Sequence, residues 1–436
     1  MNKEETQMYI DTLGPAKIES PLPHGRFISN GGSASICLTP EMMHDMGDEV
    51  FFRFEQAGPR DAIYFDPRKT KCAIVTCGGL CPGVNDVIRA IVMEAHHNYN
   101  IASTIGIRFG LEGFVPTYGH EFLELTPSNV SNIHEFGGTI LGSSRGHQPM
   151  DVIVDALERM NISILFLIGG DGTMKAASKI WEEVQERNLK IGIVGIPKTI
   201  DNDIHFVTRT FGFNTAVGKA TEAIRCAHTE ALGAPYGIGM VKLMGRESGF
   251  IAAESTLAQK DVNFVLIPED PFDLEGPRGF LAALEKRLRR RGHAVIVVAE
   301  GAGQELCCDP DKCGWDASGN PVLGDICATL RHQIHKHFKE LGIDITLKYI
   351  DPSYIIRSIP ANSSDSVYCG FLGQNAMHAA MAGKTNMVVS KLQGNFIYLP
   401  LDLVTKKRRK LNTHSNYWRS VIESTGQPLV MRNEEK

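Results

Sequence analysis

Four side chains suited to group transfer lie close together in the sequence GIPKTIDNDI, residues 195–204. Lys198, Thr199, Asp201 and Asp203 directly follow an apolar run that is typical of a buried strand. A carboxylate within hydrogen-bond reach of an alcohol can take its proton as the oxygen attacks, and a lysine can offset charge on a phosphoryl group. By themselves these residues fit a solvated Asx-type turn equally well.

Three glycine-rich turns indicate which group is transferred. They are CGGLCPGVND (77–86), GSSRG (142–146) and GGDGT (169–173). In a parallel sheet, turns that follow strands all lie at the same edge. Glycines there let the backbone approach a phosphate closely, and the next helix offers its first N–H groups. With Arg145 and Asp171 embedded in them, the turns predict a polyphosphate site.

Asp171 has two interpretations. It follows a strand at the point where a phosphate-bound Mg²⁺ would need a carboxylate oxygen, which is the ligand type that Mg²⁺ prefers. The alternative is that Asp171 caps the helix that begins there.

The second half of the chain has its own polar strand ends, in KLMGRESGF (242–250), VVAEG (297–301) and YIIRS (354–358). Arg246 and Arg357 lie at or near the ends of apolar runs, where a second phosphate could be anchored. Alternatively, each of these two arginines could form a salt bridge at the rim of the fold. Glu300 could accept hydrogen bonds from sugar hydroxyls.

Strand and helix patterns alternate between these motifs. Strands are predicted at 72–79, 102–110, 162–172, 189–197, 236–245, 262–269 and 293–301, and helices at 85–99, 150–160, 173–187 and 277–292. This predicts an α/β protein with two doubly wound, parallel-sheet (Rossmann-like) domains and an active-site cleft between them. Residues 1–70 are predicted to be an irregular N-terminal extension that packs on the surface.

The predicted domains are discontinuous in sequence. A phosphoryl-donor domain is expected at 71–212 plus about 356–400, and a sugar-phosphate domain at 213–355 plus about 401–436. A chain of 436 residues is long enough for two cores.

Composition narrows the class of protein. Hydrophobic residues make up 43% and charged residues 22%, as in ordinary globular proteins. The net charge of −5 argues against nucleic acid or an anionic membrane as a partner. No run is long enough to span a bilayer, and the N-terminus lacks a signal-peptide core, so a cytoplasmic protein is predicted.

Two further features have plain interpretations. The spacing of the ten cysteines indicates neither disulfides nor a metal site, so reduced and mostly buried thiols are predicted. The basic run TKKRRKLN (405–412) is predicted to be a solvated surface turn rather than a phosphate or nucleic-acid patch, because the whole chain is acidic.

Taken in order, several motifs resemble those of the 6-phosphofructokinases, from about Ala73 to about Gly370. They are GGLCPGVN, GGTILGSSRG, GGDGT, PKTIDND, GFNTA, KLMGRESGF and VVAEG. GGDGT alone also occurs in NAD kinases and lipid kinases, but the ordered set is specific. PKTIDND and the long N-terminal segment resemble the long-form branch related to the pyrophosphate-using enzymes.

The resemblance implies phosphoryl transfer to the 1-hydroxyl of fructose 6-phosphate, the committed step of glycolysis, in a homo-oligomer (dimer or tetramer) subject to allosteric control. It implies Asp201 as the general base, with Lys198 and Thr199 also catalytic, and Asp171 as the Mg²⁺ ligand. The donor-binding residues it implies are Gly79, Arg145, Gly146, Gly170, Asp171, Gly172 and Thr173. The sugar-binding residues it implies are Thr199, Ile200, Asp201, Met244, Gly245, Arg246, Glu300, Tyr354, Ile355, Ile356 and Arg357.

The chain departs from the short bacterial enzymes of this family at four aligned positions. They have an aspartate where this chain has Leu80, a histidine at Tyr354 and an arginine at Lys348. An arginine that they contribute across a subunit interface aligns with Gly237. The source of the remaining positive charge for the sugar phosphate, Lys348 among the candidates, therefore stays open.

One position indicates the phosphoryl donor. Pyrophosphate users typically have aspartate where this chain has Gly172, whereas Lys198 is compatible with either donor. A carboxylate about 4 Å from a nucleotide phosphate would cost roughly 4 kcal/mol at an effective dielectric of about 20, or on the order of a thousandfold in affinity. The sequence therefore predicts ATP. The alternatives are a pyrophosphate-dependent enzyme and a non-catalytic sugar-phosphate sensor.

Overall fold

A computed structural model describes the chain over residues 6–22, 27–35, 52–307, 314–315 and 321–433. Contacts between residues divide it into two units. Unit 1 comprises Met1–Ile200, Ile204–Gly212 and Ser358–Arg408, and unit 2 comprises Asp201–Asp203, Phe213–Arg357 and Arg409–Lys436. Each unit is thus assembled from separate stretches of the chain.

The strands form one large sheet, one small sheet and one two-stranded pair. Their bounds are β1 (Thr6–Met8), β2 (Ile18–Glu19), β3 (Ser33–Ser35), β4 (Phe52–Gln56), β5 (Ala62–Ile63), β6 (Lys71–Thr76), β7 (Ser103–Ile107), β8 (Leu123–Glu124), β9 (Ile164–Gly169), β10 (Gly192–Pro197), β11 (Gly237–Leu243), β12 (Phe264–Leu266), β13 (His293–Ala299), β14 (Thr346–Ile350), β15 (Met387–Leu392) and β16 (Asn395–Pro400).

The α-helices in the described residues begin after β6 and follow most of the strands from there to β14. They are α1 (Val84–His97), α2 (Met150–Arg159), α3 (Asp171–Glu186), α4 (Phe213–Leu232), α5 (Phe250–Gln259), α6 (Phe280–Arg291), α7 (Ile326–Glu340), α8 (Ser353–Ser358), α9 (Ser363–Met381), α10 (Leu401–Thr405) and α11 (Asn416–Thr425). The predicted helices and strands are confirmed, with ends shifted by a few residues.

Unit 1 is built on a ten-stranded sheet in the order β1-β4-β16-β15-β10-β9-β6-β7-β8, with β3 paired to β4. Its central strands β15, β10, β9, β6 and β7 are parallel, as predicted. The outer pairs β15–β16, β16–β4 and β7–β8 are antiparallel, which the sequence did not indicate. Every residue of β9 is buried, as expected for a parallel strand covered on both faces.

Helices cover this sheet. Leu165 and Leu167 of β9 pack into a core cluster with apolar residues of α2, α3 and α10. A second pair of helices, α1 and α9, packs together, and α9 also contacts β10 and β15. The two helices approach so closely that a Cβ at Gly373 would lie 2.6 Å from the Ala90 Cβ. The doubly wound α/β architecture is therefore confirmed.

Unit 2 contains the four-stranded sheet β12-β13-β11-β14, and all of its strand pairs are parallel. Inward-facing residues such as Met240, Ile296 and Val298 are fully buried. They pack with Phe280 of α6 and Leu330 of α7 into a separate core. The apolar runs that predicted strands in the second half of the chain thus form one buried sheet.

The prediction that residues 1–70 form an irregular surface segment is wrong for Phe52–Gln56. These residues form β4, which pairs with β16, and the Phe54 side chain is 0% exposed. Glu55 of β4 is buried and forms ion pairs with Arg60 at 2.8 Å and with Lys384 at 2.7 Å. The strand is stabilised by residues more than 300 positions away, which a local pattern does not reveal.

The seven described cysteines are free, and five of them are buried, as predicted; Cys37, Cys308 and Cys313 lie outside the described residues. Among the helices of the described residues, none combines the length and apolar character needed to cross a membrane.

The prediction of a solvated turn at 405–412 is wrong for Arg408 and Arg409, whose side chains are partly buried.

We expect Phe54→Ala to lower the free energy of unfolding by about 3–5 kcal/mol, because it removes a fully buried ring from the core of unit 1. Urea unfolding followed by circular dichroism measures the change. The matched control is Phe122→Ala, whose ring is 44% exposed and whose loss should cost less than about 0.5 kcal/mol. Equal effects of the two substitutions would show that β4 is not part of the stable core.

Candidate active site

The first two glycine turns of unit 1 are joined by hydrogen bonds. The Gly78 N–H donates to the Ser144 carbonyl at 3.2 Å, and the Ser143 hydroxyl donates to the Gly78 carbonyl at 2.6 Å. Gly78 has a φ of +81° and Gly146 a φ of +107°, which favour glycine. The exposed Arg145 therefore lies on a turn that is fixed against the end of β6.

Lys198 connects the third turn to the first. Its N–H donates to the Gly169 carbonyl at 2.8 Å, and its ammonium group donates to the Gly79 carbonyl. The residue is only 6% exposed. The ends of β6, β9 and β10 are thus brought together, with the predicted residues Gly79 and Lys198 in direct contact.

Helix α3 begins directly at the end of β9. The Gly170 carbonyl accepts hydrogen bonds from the N–H groups of Thr173 and Met174, at 2.9 and 3.0 Å. A Cβ at Gly169 would overlap the Thr173 side chain, so glycine is required for this close turn. The predicted donor-binding residues Gly170–Thr173 therefore form a helix N-terminus, where backbone N–H groups favour anions.

Asp171 and Gly172 differ in their surroundings. The Asp171 carboxylate forms an ion pair with Lys175 at 2.9 Å and lies 3.9 Å from the Arg408 guanidinium. The N-cap residue of α3 is Gly170, which has no side chain, and Asp171 is the first residue within the helix. The interpretation of Asp171 as the helix cap is therefore wrong. A Cβ placed on Gly172 meets no atom within 4 Å, so a side chain there would enter open space.

Cys77, the first residue of the first glycine turn, is buried. Burial raises the pKa of its thiol to about 11, although the Lys198 charge and a hydrogen bond involving Thr173 act in the opposite direction. The thiol therefore stays protonated at neutral pH and contributes packing rather than a charge.

In unit 2, the turn Met244–Arg246 follows β11 and rests on the turn that follows β13. The Glu300 N–H donates to the Leu243 carbonyl at 2.9 Å, and the Gly301 N–H donates to the Gly245 carbonyl at 3.1 Å. Gly245 has a φ of +131°. A Cβ on Gly301 would overlap the Arg246 carbonyl. The predicted residues Met244, Gly245, Arg246 and Glu300 are thus brought together.

Glu300 lies in a strongly charged environment. Burial raises the pKa of its carboxyl group, while Arg246, Lys242 and Arg357 lower it. Lys242 itself pairs with Asp351 at 2.7 Å. Glu300 is therefore a hydrogen-bond acceptor surrounded by positive charges, and the two predicted phosphate-binding residues, Arg246 and Arg357, are close enough to lower its pKa.

Helix α8 places its four predicted residues differently. Tyr354 is 75% exposed and Ile355 is 62% exposed, whereas the Ile356 side chain is buried. The Arg357 guanidinium lies 5.0 Å from the centre of the Tyr354 ring. Asp351 accepts a hydrogen bond from the Ser353 N–H at 3.1 Å and fixes the start of the helix. Because the Ile356 side chain is buried, this residue could contact a ligand only through its backbone, whereas the side chains of Tyr354 and Ile355 are accessible.

The segment Asp201–Asp203 is held by backbone contacts within unit 2. The Asp201 carbonyl accepts a hydrogen bond from the Ser248 hydroxyl at 3.2 Å, and the Asp203 carbonyl accepts one from the Arg409 N–H at 2.7 Å. Asn202 between them adopts a φ of +56°. Thr199 and the buried Ile200 precede this segment and belong to unit 1. The segment is therefore fixed, unlike a loose solvated turn.

Sequence reasoning missed Glu269 as a supporting residue. Its carboxylate accepts the Gly249 N–H at 2.9 Å, at the start of α5, and the Leu411 N–H at 2.8 Å. It therefore fixes the backbone that follows the MGRES motif. The signal was present, because Glu269 follows the apolar run VNFVLIP, as Glu300 follows its own strand.

Gly237 aligns with the cross-interface arginine of the short enzymes. A Cβ there would overlap the Ala231 carbonyl, so the site admits no side chain. Lys348 is exposed and lies within β14, opposite Gly239 of β11.

Comparison with known proteins places this arrangement in context. The family profile described as phosphofructokinase matches residues 71–380. An ATP-dependent 6-phosphofructokinase of Borreliella burgdorferi is 49% identical over 99% of this chain and 99% of its own length. That of Amycolatopsis methanolica is 48% identical over 96% of this chain and 94% of its own. Arabidopsis thaliana ATP-dependent 6-phosphofructokinase 1 is 46% identical over 88% and 81%.

Solved structures with low sequence identity share the fold. A pyrophosphate-dependent phosphofructokinase from Marinobacter aquaeolei is 20% identical, with a TM-score of 0.67 over 84% of this chain and 92% of that one. Pichia pastoris phosphofructokinase in the T-state is 23% identical, with a TM-score of 0.64 over 78% of this chain and 36% of that one.

We expect Gly301→Ala to destabilise the protein by about 1–3 kcal/mol, because the added methyl group overlaps the Arg246 carbonyl. Thermal unfolding measures the loss, and faster hydrogen exchange at residues 244–249 would locate it. Gly218→Ala is the matched control, because its new methyl group meets nothing within 4 Å on an exposed helical position. It should leave stability unchanged or raise it by up to about 1 kcal/mol. Unchanged exchange at 244–249 in Gly301→Ala would contradict the contact.

Proposed function

The chain belongs to the phosphofructokinase family, and we propose that it transfers the terminal phosphoryl group of ATP to the 1-hydroxyl of D-fructose 6-phosphate. The products are fructose 1,6-bisphosphate and ADP. The observation that carries the proposal is the linkage of the three glycine turns beside the α3 N-terminus: Lys198 joins the first turn to the third, and Gly78 joins the first turn to the second. The proposal is also supported by two relatives that are 48–49% identical to this chain and match it over almost their whole length. Both are named ATP-dependent 6-phosphofructokinase.

Unit 1 is proposed to bind the phosphoryl donor. Backbone N–H groups at the start of α3 and in the glycine turns are suited to phosphate oxygens, and Arg145 adds a guanidinium. The residues assigned to this role are Gly79, Arg145, Gly146, Gly170, Asp171, Gly172 and Thr173. The hydrogen bonds between the turns support the assignment, because they hold these groups in place before a ligand arrives.

Asp171 is proposed to hold Mg²⁺. Its carboxylate is partly exposed and supplies the hard oxygen that this ion prefers. Among the described residues there is no group of three or more acidic, histidine or cysteine side chains arranged around a metal. A single carboxylate fits Mg²⁺, which commonly binds through one or two carboxylates, substrate phosphates and waters. When bound, the ion would neutralise charge on the phosphoryl oxygens.

Asp201 is proposed to be the general base. Its carboxylate takes the proton of the sugar hydroxyl as that oxygen bonds to the γ-phosphorus of ATP, and the bond from phosphorus to the bridging oxygen of ADP breaks. Lys198 offsets charge on the transferred group, and Thr199 contacts that group or the sugar. The backbone hydrogen bonds of Asp201 and Asp203 support this, because a base must be held in position.

Unit 2 is proposed to bind fructose 6-phosphate. Arg246 and Arg357 are assigned to the 6-phosphate, and Glu300 to the sugar hydroxyls. The other residues of unit 2 that we assign to the sugar are Asp201, Met244, Gly245, Tyr354, Ile355 and Ile356, and Thr199 and Ile200, which belong to unit 1, are assigned to it as well. The influence of both arginines on the pKa of Glu300 supports this grouping. A homo-oligomer, allosteric effectors and a cytoplasmic location stay predictions.

The donor is tested with purified protein, Mg²⁺ and fructose 6-phosphate, with ATP and pyrophosphate assayed in parallel for fructose 1,6-bisphosphate. We expect product with ATP. Gly172→Asp should then lower kcat/KM for ATP by about a thousandfold, because the new carboxylate faces a nucleotide phosphate, and affect pyrophosphate use far less.

Gly172→Asn is the matched control for this experiment, because asparagine has nearly the volume of aspartate without its charge. Full ATP activity in Gly172→Asp would contradict the charge argument. Product only with pyrophosphate in the unmodified chain would favour the alternative donor, with which Lys198 is compatible. No product with either donor would favour a non-catalytic sugar-phosphate sensor.

We expect Asp201→Asn to lower kcat by about 10²–10⁴-fold, because the amide cannot accept the proton. Stopped assays at saturating substrates measure kcat, and binding of fructose 6-phosphate by calorimetry checks that the site is intact. Asp203→Asn is the control carboxylate two residues away and should retain most of the activity. A larger loss in Asp203→Asn than in Asp201→Asn would move the base to Asp203.

A further inference from the structure

The basic segment, Lys406–Lys410, directly follows α10 and is not uniformly solvated. Lys406, Lys407 and Lys410 are exposed, but the Arg408 side chain is only 27% exposed. Its backbone forms an antiparallel bridge with Ile204, and the preceding Leu403 and Val404 are buried in the core of unit 1. Arg408 therefore has a fixed base from which its side chain extends.

That side chain reaches the carboxylate assigned to the metal. The Arg408 guanidinium lies 3.9 Å from the same Asp171 oxygen that Lys175 contacts at 2.9 Å. The Lys175 contact is within one helix, four residues apart, and is a common surface pair. The Arg408 contact joins two segments far apart in sequence and is longer than a hydrogen bond, so a better partner could replace it.

A donor polyphosphate is such a partner. Arginine presents several N–H donors in a planar fork that matches phosphate oxygens, and it stays charged at all physiological pH values. The α3 N-terminus, at which Asp171 begins, is the point where the donor phosphates are expected. A guanidinium held 3.9 Å from Asp171 is already close to that point.

We propose that Arg408 is a donor-binding residue: it pairs with Asp171 before the nucleotide binds and transfers its contact to a phosphate of ATP when the nucleotide binds. This rests on the proposed function, because it needs the nucleotide at the start of α3. The exchange keeps the charge of the Asp171 carboxylate compensated before the nucleotide binds. It leaves that carboxylate available for a metal once the phosphates have taken the guanidinium.

The test measures ATP binding by calorimetry in EDTA, where no metal can link Asp171 to the nucleotide. We expect Arg408→Gln to raise the Kd for ATP in EDTA by about 10-fold or more, because a charge-assisted contact with a phosphate is lost. Arg408→Lys should fall between, since it keeps the charge and loses the fork. Lys406→Gln, which removes an exposed charge from the same segment, should change the Kd by less than about twofold.

Binding of fructose 6-phosphate to each variant checks that the fold is intact. A purely structural salt bridge predicts a different pattern: Arg408→Gln would weaken ATP only when Mg²⁺ is present, by misplacing Asp171. That result would overturn the proposal, as would an unchanged Kd in EDTA, an equal effect of Lys406→Gln, or no ATP binding by the unmodified chain in EDTA. Turnover measured on the same preparation tests the proposed function separately, because ATP can bind through Arg408 without any transfer to the sugar.

Discussion

The buried ammonium group of Lys198 is the contact on which the donor half depends. Removing a charge from water is unfavourable unless polar groups compensate it, and here the Gly79 carbonyl accepts its hydrogen bond. That bond requires the first glycine turn to stand directly over the end of β10. The same residue's N–H secures the end of β9. One residue therefore links three strand ends, through its side chain to the turn after β6 and through its backbone N–H to the end of β9. The glycines are the residues small enough to allow this close approach.

Unit 2 reaches a comparable precision by a different means. Its two strand-end turns are joined to each other by backbone hydrogen bonds, between Leu243 and Glu300 and between Gly245 and Gly301. The close approach leaves no space for a methyl group at Gly301. The positive charges of this site come from the side chains of Arg246, Lys242 and Arg357, which lower the pKa of Glu300. Both units place chemistry at the carboxyl ends of parallel strands, where open α/β sheets generally bind ligands.

Much of this was readable from the sequence, because local patterns determine it. The apolar run before Gly169 and the helical spacing after Gly170 predict β9 and α3 within a few residues. The strand β4 was missed because its partner β16 lies more than 300 residues away and its polar residues are compensated by Arg60 and Lys384. Arg408 was misjudged for a related reason. The net charge of the whole chain was used to interpret a basic run, whereas local contacts determine where Arg408 lies: its backbone pairs with Ile204 and its guanidinium is 3.9 Å from the Asp171 carboxylate.

The pairing of β10 with β15 has a consequence for how the protein is made. Between Pro197 and Met387 the ribosome must synthesise all of the β-sheet of unit 2, at about 5–20 residues per second. For on the order of 10–40 s, the edge of β10 that later pairs with β15 therefore stays unpaired, and an apolar strand edge is the kind of surface that promotes aggregation. Chaperones should therefore be needed to protect nascent chains of this protein at that stage. Slow codons in the stretch between Pro197 and Met387 would lengthen the time for which the strand edge is exposed.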